Sequence, residues 1–203
     1  MCYCCADTDA VVRFYESALD LKEVMRNPLH PSDGSLLGID GEIVSGAAFV
    51  YDRRGPRTSS SLEVQEWVSP TMIDEPISDP TRVGMQFGTR FDLFAEEGLD
   101  EGQSRLRHLR ITVTDLDVSL PWYRGMGFID IDDHSFTDGS FLGIEGGAGR
   151  VVRMQLPDEA CQVTLFQWTT PVSHGRHPVP ANTAGLYRTA VGVDDTRASY
   201  ERF

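Results

Sequence analysis

A chain of 203 residues, 40% of them hydrophobic, has the apolar material for one large core or two small ones. Its formal net charge of −13 argues against nucleic acid and anionic membrane surfaces as partners. No apolar run approaches the roughly 20 residues a membrane helix needs, and the opening MCYCC has neither the basic flank nor the apolar length of a secretory signal.

Cys2 to Ala6 predicts a short strand, and Asp7-Thr8-Asp9 an acidic turn able to cap a helix. That helix carries Val11, Phe14, Tyr15 and Ala18 on one face, and Leu21 to Val24 returns as a strand. Asn27 to Gly34, with Pro28 and Pro31, predicts a turn-rich loop. Gly46 to Asp52 and Leu62 to Trp67 predict two more strands, joined by a solvated basic tip, Arg53 to Arg57. Thr71 to Thr81 is a linker, followed by a strand from Arg82 to Phe87 and a short helix from Phe91 to Glu97. The acidic, glycine-containing joint Gly98 to Ser104 divides the chain into 1–105 and 106–203.

The second half opens on its clearest signal, His108 to Phe128. Leu109, Ile111 and Val113 alternate with His108, Arg110, Thr112 and Thr114, the mark of a strand with two unlike faces. Asp115 caps a helix on which Leu116, Leu120 and Tyr123 recur at helical spacing, and Phe128 starts a return strand. Arg150 to Leu156 and Gln162 to Trp168 are the next strands. Pro171 to Asn182, with His174 and His177, is a second linker whose prolines disfavour a helical metal pair, and Gly185 to Phe203 begins a further strand and helix.

Both halves therefore share one plan. Asp7 matches Asp115, Tyr15 matches Tyr123, and DGSLLGIDG from Asp33 matches DGSFLGIEG from Asp138. Trp67 and Pro70 match Trp168 and Pro171, and Arg82 falls opposite Arg188. Such an ordered series is what a duplicated unit leaves behind. Among the cysteines, Cys2, Cys4 and Cys5 crowd into one strand and Cys161 stands apart, which suits no disulfide framework. They read as small buried hydrophobes, and reduced thiols fit a cytoplasmic protein.

Repeated βαβββ units opening on a D-x-D-x-x-x-x-F/W-Y pattern resemble the vicinal oxygen chelate superfamily, which includes glyoxalases, extradiol dioxygenases and bleomycin-resistance proteins. The residues carrying the resemblance are Asp7, Asp9, Phe14, Tyr15 and Leu19, then His108, Asp115, Leu116, Asp117, Ser119, Trp122, Tyr123 and Phe128. The resemblance implies an α+β fold of tandem βαβββ modules forming curved mixed sheets with helices outside. Arg82 to Glu97 and Gly185 to Phe203 resemble openings of truncated second-type modules, whose exposed edges predict a homo-oligomer.

The superfamily's sites imply a divalent metal (Zn²⁺, Mn²⁺ or Fe²⁺) held by a first-strand histidine and a last-strand glutamate, with a small-molecule substrate chelating it. Those positions are His108 and Glu63, with Glu63 also the implied proton-transfer carboxylate; the second copy offers Thr164 in place of a glutamate. Arg82, Arg110 and Arg188 share inward parity and suit an anionic ligand, while Gln65, Trp67, Phe166 and Trp168 suit a pocket lining. The residues taken by themselves leave plainer readings open: a polar cup mouth, aromatic packing, and arginines paired with Asp or Glu. Two functions follow from the resemblance. One is an isomerase, lyase or ring-cleaving enzyme at a metal. The other is a metal-free binding protein for a small aromatic or anionic compound, or else an inactive truncated member. One cup shared by His108 and Glu63 separates them.

Overall fold

The alternation of Leu109 and Ile111 with His108 and Arg110 becomes a strand with its apolar side fully covered. The structure is a computed structural model describing residues 1–73, 79–86, 97–101, 103–159, 161–175, 179–193 and 195–202. In chain order the first module comprises β1 (Cys2–Cys5), α1 (Thr8–Leu19), β2 (Lys22–Asp33), β3 (Glu42–Tyr51) and β4 (Leu62–Ser69). The short β5 (Gly84–Gln86) follows. The second module comprises β6 (His108–Thr112), α2 (Leu116–Gly125), β7 (Ile129–Phe136), β8 (Ala148–Gln155) and β9 (Gln162–Thr170), with β10 (Gly185–Arg188) and α3 (Thr196–Arg202) after it.

The two modules trace the same path. The first gives the sheet order β1-β4-β3-β2 and the second β6-β9-β8-β7, each with its opening strand parallel to its last. Local chemistry is duplicated with the path. Asp7 accepts a hydrogen bond from Ala10 N at 2.8 Å, and Asp115 from Asp117 N at 2.8 Å, so each helix starts on an aspartate cap. Thr8 N donates to Glu66 of β4 at 3.1 Å, and Leu116 N to Gln167 of β9 at 2.9 Å, which ties each helix start to its sheet. Asp33 takes both the amide and the hydroxyl of Ser35, and Asp138 does the same with Ser140. A single 3₁₀ turn follows in each copy, closed by Gly38 and Gly143 at φ 70° and 81°, where a side chain would be strained.

One core serves both modules. Leu62 and Val64 of β4, Leu109 and Ile111 of β6, Leu165 of β9, and Val12, Tyr15, Leu116 and Leu120 of the helices form a single buried cluster. The buried stripe of α1 is Thr8, Val12 and Tyr15; Phe14, expected on that face, is 49% exposed. The expected loop from Asn27 to Gly34 is mostly strand. As an edge strand, β2 tolerates Pro28 and Pro31 without losing ladder bonds, and its register slips between Asn27 and His30. Gly46 on β3 permits that bulge, because a Cβ there would meet Leu29 N at 2.9 Å.

The connecting strands change sides. β5, which follows the first module, pairs with β6 of the second, and β10, which follows the second, pairs with β1 of the first. The partial modules thus complete one another within one chain. The straps leading to them cross as parallel bridges, Ile73 with Thr183 and Arg82 with His174. Gly84 pairs with Thr112 as Gly185 pairs with Cys4, so Arg82 stands opposite Thr183 in the repeat and not opposite Arg188. Residues 91–96 of the expected short helix, together with Phe87 and His177, lie outside the described residues. Among the described residues, no helix is long and apolar enough to cross a membrane.

Candidate functional site

On each sheet, the residues alternating with the shared core face a concave side of their own. For the second sheet, pairing across the strands sets these residues in rows. The first row contains His108 of β6, Gln162 of β9 and Gln155 of β8. The next contains Arg110, Thr164, Arg153 and then Asp132 of β7. Beyond it come Phe166 and Val151, and last Trp168 with Phe136 behind Gly149. The face therefore grades from polar through basic to aromatic.

Its aromatic end is built edge to face. The Phe136 ring centroid lies 5.1 Å from that of Trp168 and 5.5 Å from that of Phe141, and Phe141 lies 6.4 Å from Phe166. Trp168 fits because Gly139 and Gly147 have no side chains; a Cβ at either would stand 2.7 or 2.8 Å from its ring. At the basic row, the Arg110 guanidinium carbon sits 5.3 Å above the Phe166 centroid, a cation–π arrangement. Arg153 reaches Asp132 at 3.5 Å through Nη2, while its buried Nε has no hydrogen-bond partner among the described residues. His108 Nδ1 lies 3.4 Å from the Thr164 hydroxyl. Burial first, then the charges of Arg153 and Arg107, hold its imidazole below the ordinary value of 6.5.

The first sheet's concave face has a different content. Arg188 Nη2 stands 3.3 Å from both oxygens of Glu63. Gln65, nearly buried, accepts from the Cys2 thiol at 3.2 Å and donates to Ser45 at 3.4 Å. Trp67 packs with Cys2, Cys4, Ile43 and Ala181 in a separate cluster. Gln65 and Trp67 are buried here, as Phe166 and Trp168 are on the second face.

Two expectations are corrected. His108 and Glu63 do not share a cup: β6 lies between β5 and β9, β4 lies between β1 and β3, and the two sheets are separate ladders. Each side chain alternates with residues of the common core, so the two point away from it on different sheets. Nor are the three arginines brought together. Arg110 is on the second concave face and Arg188 on the first, while Arg82 lies in the crossing strap beside His174. Gln65 and Trp67 are likewise separated from Phe166 and Trp168. A divalent ion fits neither place. His108 has two arginines and a threonine around it, Glu63 is engaged by Arg188, and no group of three or more His, Cys, Asp or Glu able to hold a metal occurs among the described residues.

Arg153, Phe136 and Phe141 are the site residues that sequence reasoning missed. The alternation Val151–Val152–Arg153–Met154 places Arg153 beside Thr164, but only once the β8–β9 register is known.

No family model matches the chain, and no curated protein sequence matches it. Similar solved structures include a glyoxalase family protein from Bacillus cereus, at 15% identity over 83% of this chain and 91% of that one, with a TM-score of 0.34. A methylmalonyl-CoA epimerase of Streptomyces coelicolor in complex with 2-nitronate-propionyl-CoA matches at 15% identity over 86% and 94%, with a TM-score of 0.29. A glyoxylase/bleomycin resistance protein/dioxygenase domain from Frankia sp. matches at 16% identity over 82% and 92%, with a TM-score of 0.26. It is through its own paired βαβββ modules, each closing its first strand parallel onto its last, that this chain resembles the vicinal oxygen chelate superfamily in fold.

Proposed function

We propose that the chain binds a small organic anion with a planar aromatic part on the concave face of the second sheet, without a metal. The observation that carries this is the Arg110–Thr164–Arg153 row set directly beside Phe166, with the Arg110 guanidinium 5.3 Å over that ring. A carboxylate takes charge-assisted hydrogen bonds from guanidinium and hydroxyl groups, and a flat ring gains area against the half-exposed Phe141 at the rim of the buried Phe166–Trp168 cluster. The charge is local, since the whole chain is strongly acidic, and it selects ligands that carry their own negative group.

The test is titration with 1-naphthoate, read by tryptophan fluorescence and calorimetry, with and without a chelator. Saturable binding that the chelator leaves unchanged is expected. Arg110→Ala should weaken it by about tenfold to a hundredfold, the scale of one charged hydrogen bond plus a cation–π contact. Equal affinity for 1-naphthalenemethanol, which lacks the charge, or binding only with added metal, would overturn the reading.

A second reading rests on His108. An imidazole held neutral near pH 7 on the same face is a proton acceptor. An enzyme of the isomerase or lyase type would use it to take a proton from a bound carboxylate compound, with Arg110 and Arg153 stabilising the negative charge that develops. Exchange of substrate protons with deuterated solvent, abolished in His108→Gln while naphthoate binding persists, would favour this reading over simple sequestration.

A further inference from the structure

Cys2 and Cys4 stand two residues apart on β1, so both face the first sheet's concave side, while Cys5, the last residue of that strand, joins the shared core. They are 1% and 0% exposed. The Cys2 thiol donates to Gln65 Oε1 at 3.2 Å, and the Cys4 thiol to the Ala181 carbonyl at 3.3 Å. Arg188, engaged with Glu63, stands opposite Cys2 in the β1–β10 pairing. Trp67 is 5% exposed and belongs to the same cluster; its Nε1 stands beside Cys4 and is buried without a hydrogen-bond partner meeting normal geometry among the described residues.

We propose that Cys2 and Cys4 form a dithiol site for a soft, two-coordinate cation of the copper(I) class. Thiolates select soft ions over hard ones, and two sulfurs complete the shell of an ion that prefers two ligands. The absence of any three-ligand group among the described residues leaves four- and six-coordinate ions unserved there. The partly exposed Arg188 guanidinium and the buried Trp67 Nε1–H stand beside this pair. The equivalent Trp168 Nε1–H is also buried without a hydrogen-bond partner among the described residues, in a cluster with no cysteine, so it is the two thiols on one face that set the first sheet apart. The guanidinium and the indole have a use once the thiols ionise. Copper(I) displaces one proton from each thiol, two Cu–S bonds form, and no electron is transferred. The two protons leave to solvent and the complex carries one negative charge. Arg188 offsets that charge, and Trp67 Nε1–H donates to the Cys4 thiolate. The strap at 179–185 covers Cys4 through Ala181 and leads into the four-residue β10.

Anaerobic titration of the reduced full chain with copper(I), in competition with a chromophoric bathocuproine chelator, tests the site. A single tightly held ion per chain is expected. Cys2→Ala and Cys4→Ala should each weaken it by about 100-fold or more, whereas Cys5→Ala and Cys161→Ala should leave it intact. X-ray absorption of the loaded, unmutated protein gives an answer independent of how the variants fold, and two sulfur neighbours are expected. Failure to retain copper against the chelator, retention in Cys2→Ala, or a shell containing nitrogen or oxygen would each overturn the assignment.

Discussion

Arg188 Nη2 lies 3.3 Å from each carboxylate oxygen of Glu63, fastening β10 to β4 across β1. This pair joins a residue expected to ligate a metal to one expected to hold a substrate, so each occupies the other. The side chains are 45% and 20% exposed. A partly solvated pair of this kind contributes about 1 kcal/mol or less. Glu63→Gln should therefore shift the urea midpoint only slightly, and less still at high salt. A loss of several kcal/mol, or a loss of bound metal, would show that Glu63 has another partner.

The exchanged strands predict a truncation phenotype. β10 covers one edge of β1 and brings Leu186, 4% exposed, into the shared core. A chain ending before Ala184 would leave that edge open, and open edges pair with other chains. The outer edges are guarded differently: β2 by Pro28 and Pro31, β7 by Asp130, Asp132 and Asp133. Light scattering should show the truncated chain associating at micromolar concentration. A stable, monodisperse monomer would mean that β10 is dispensable.

His108 predicts the direction of a pH effect. Its folded value is depressed by burial and by Arg153 and Arg107, so the unfolded chain takes up the proton first as pH falls. Stability from this group is fully present above its ordinary value of 6.5 and is lost as pH falls from there toward the folded value. His108→Gln removes the titration. The urea midpoint, followed from pH 7.5 to 5.5, should fall more steeply in the unmutated protein than in the variant. Parallel slopes would place the imidazole in solvent.

Gly147 predicts how tightly the aromatic end is packed. A Cβ there would lie 2.8 Å from Trp168 Cζ3 and 2.9 Å from Ile144 Cγ2. Overpacking of this degree costs about 1–3 kcal/mol. Gly147→Ala should destabilise by that amount and shift the emission of Trp168 as the ring is displaced. Gly192→Ala, where a Cβ meets nothing, is the control. An unchanged spectrum together with unchanged stability would mean that the slot is loose.

The duplicated plan was legible in the chain because its signals are local. Alternation across Leu109 and Ile111, the aspartate caps Asp7 and Asp115, and the Asp-Gly-Ser turns at Asp33 and Asp138 each act within a few residues, where sequence distance equals physical distance. Parity also put Arg110, Phe166 and Glu63 on the faces opposite the core. The proline-marked loop of Asn27 to Gly34 was misread because an edge strand forgives prolines, and being an edge is a property of the sheet.

Which faces meet was decided only by the tertiary structure. No residue near His108 records that β6 takes β5 as its neighbour, or that β1 takes β10, because those pairings join segments whose backbone edges are interchangeable in hydrogen bonding. Strand partnership is fixed by where the shared core holds the two modules and by the crossing of the straps at Ile73–Thr183 and Arg82–His174. That single choice separates Glu63 from His108 and places Arg188 on Glu63. It also aligns Arg110, Thr164 and Arg153 in one row, since a row across strands exists only once the strands have been brought side by side.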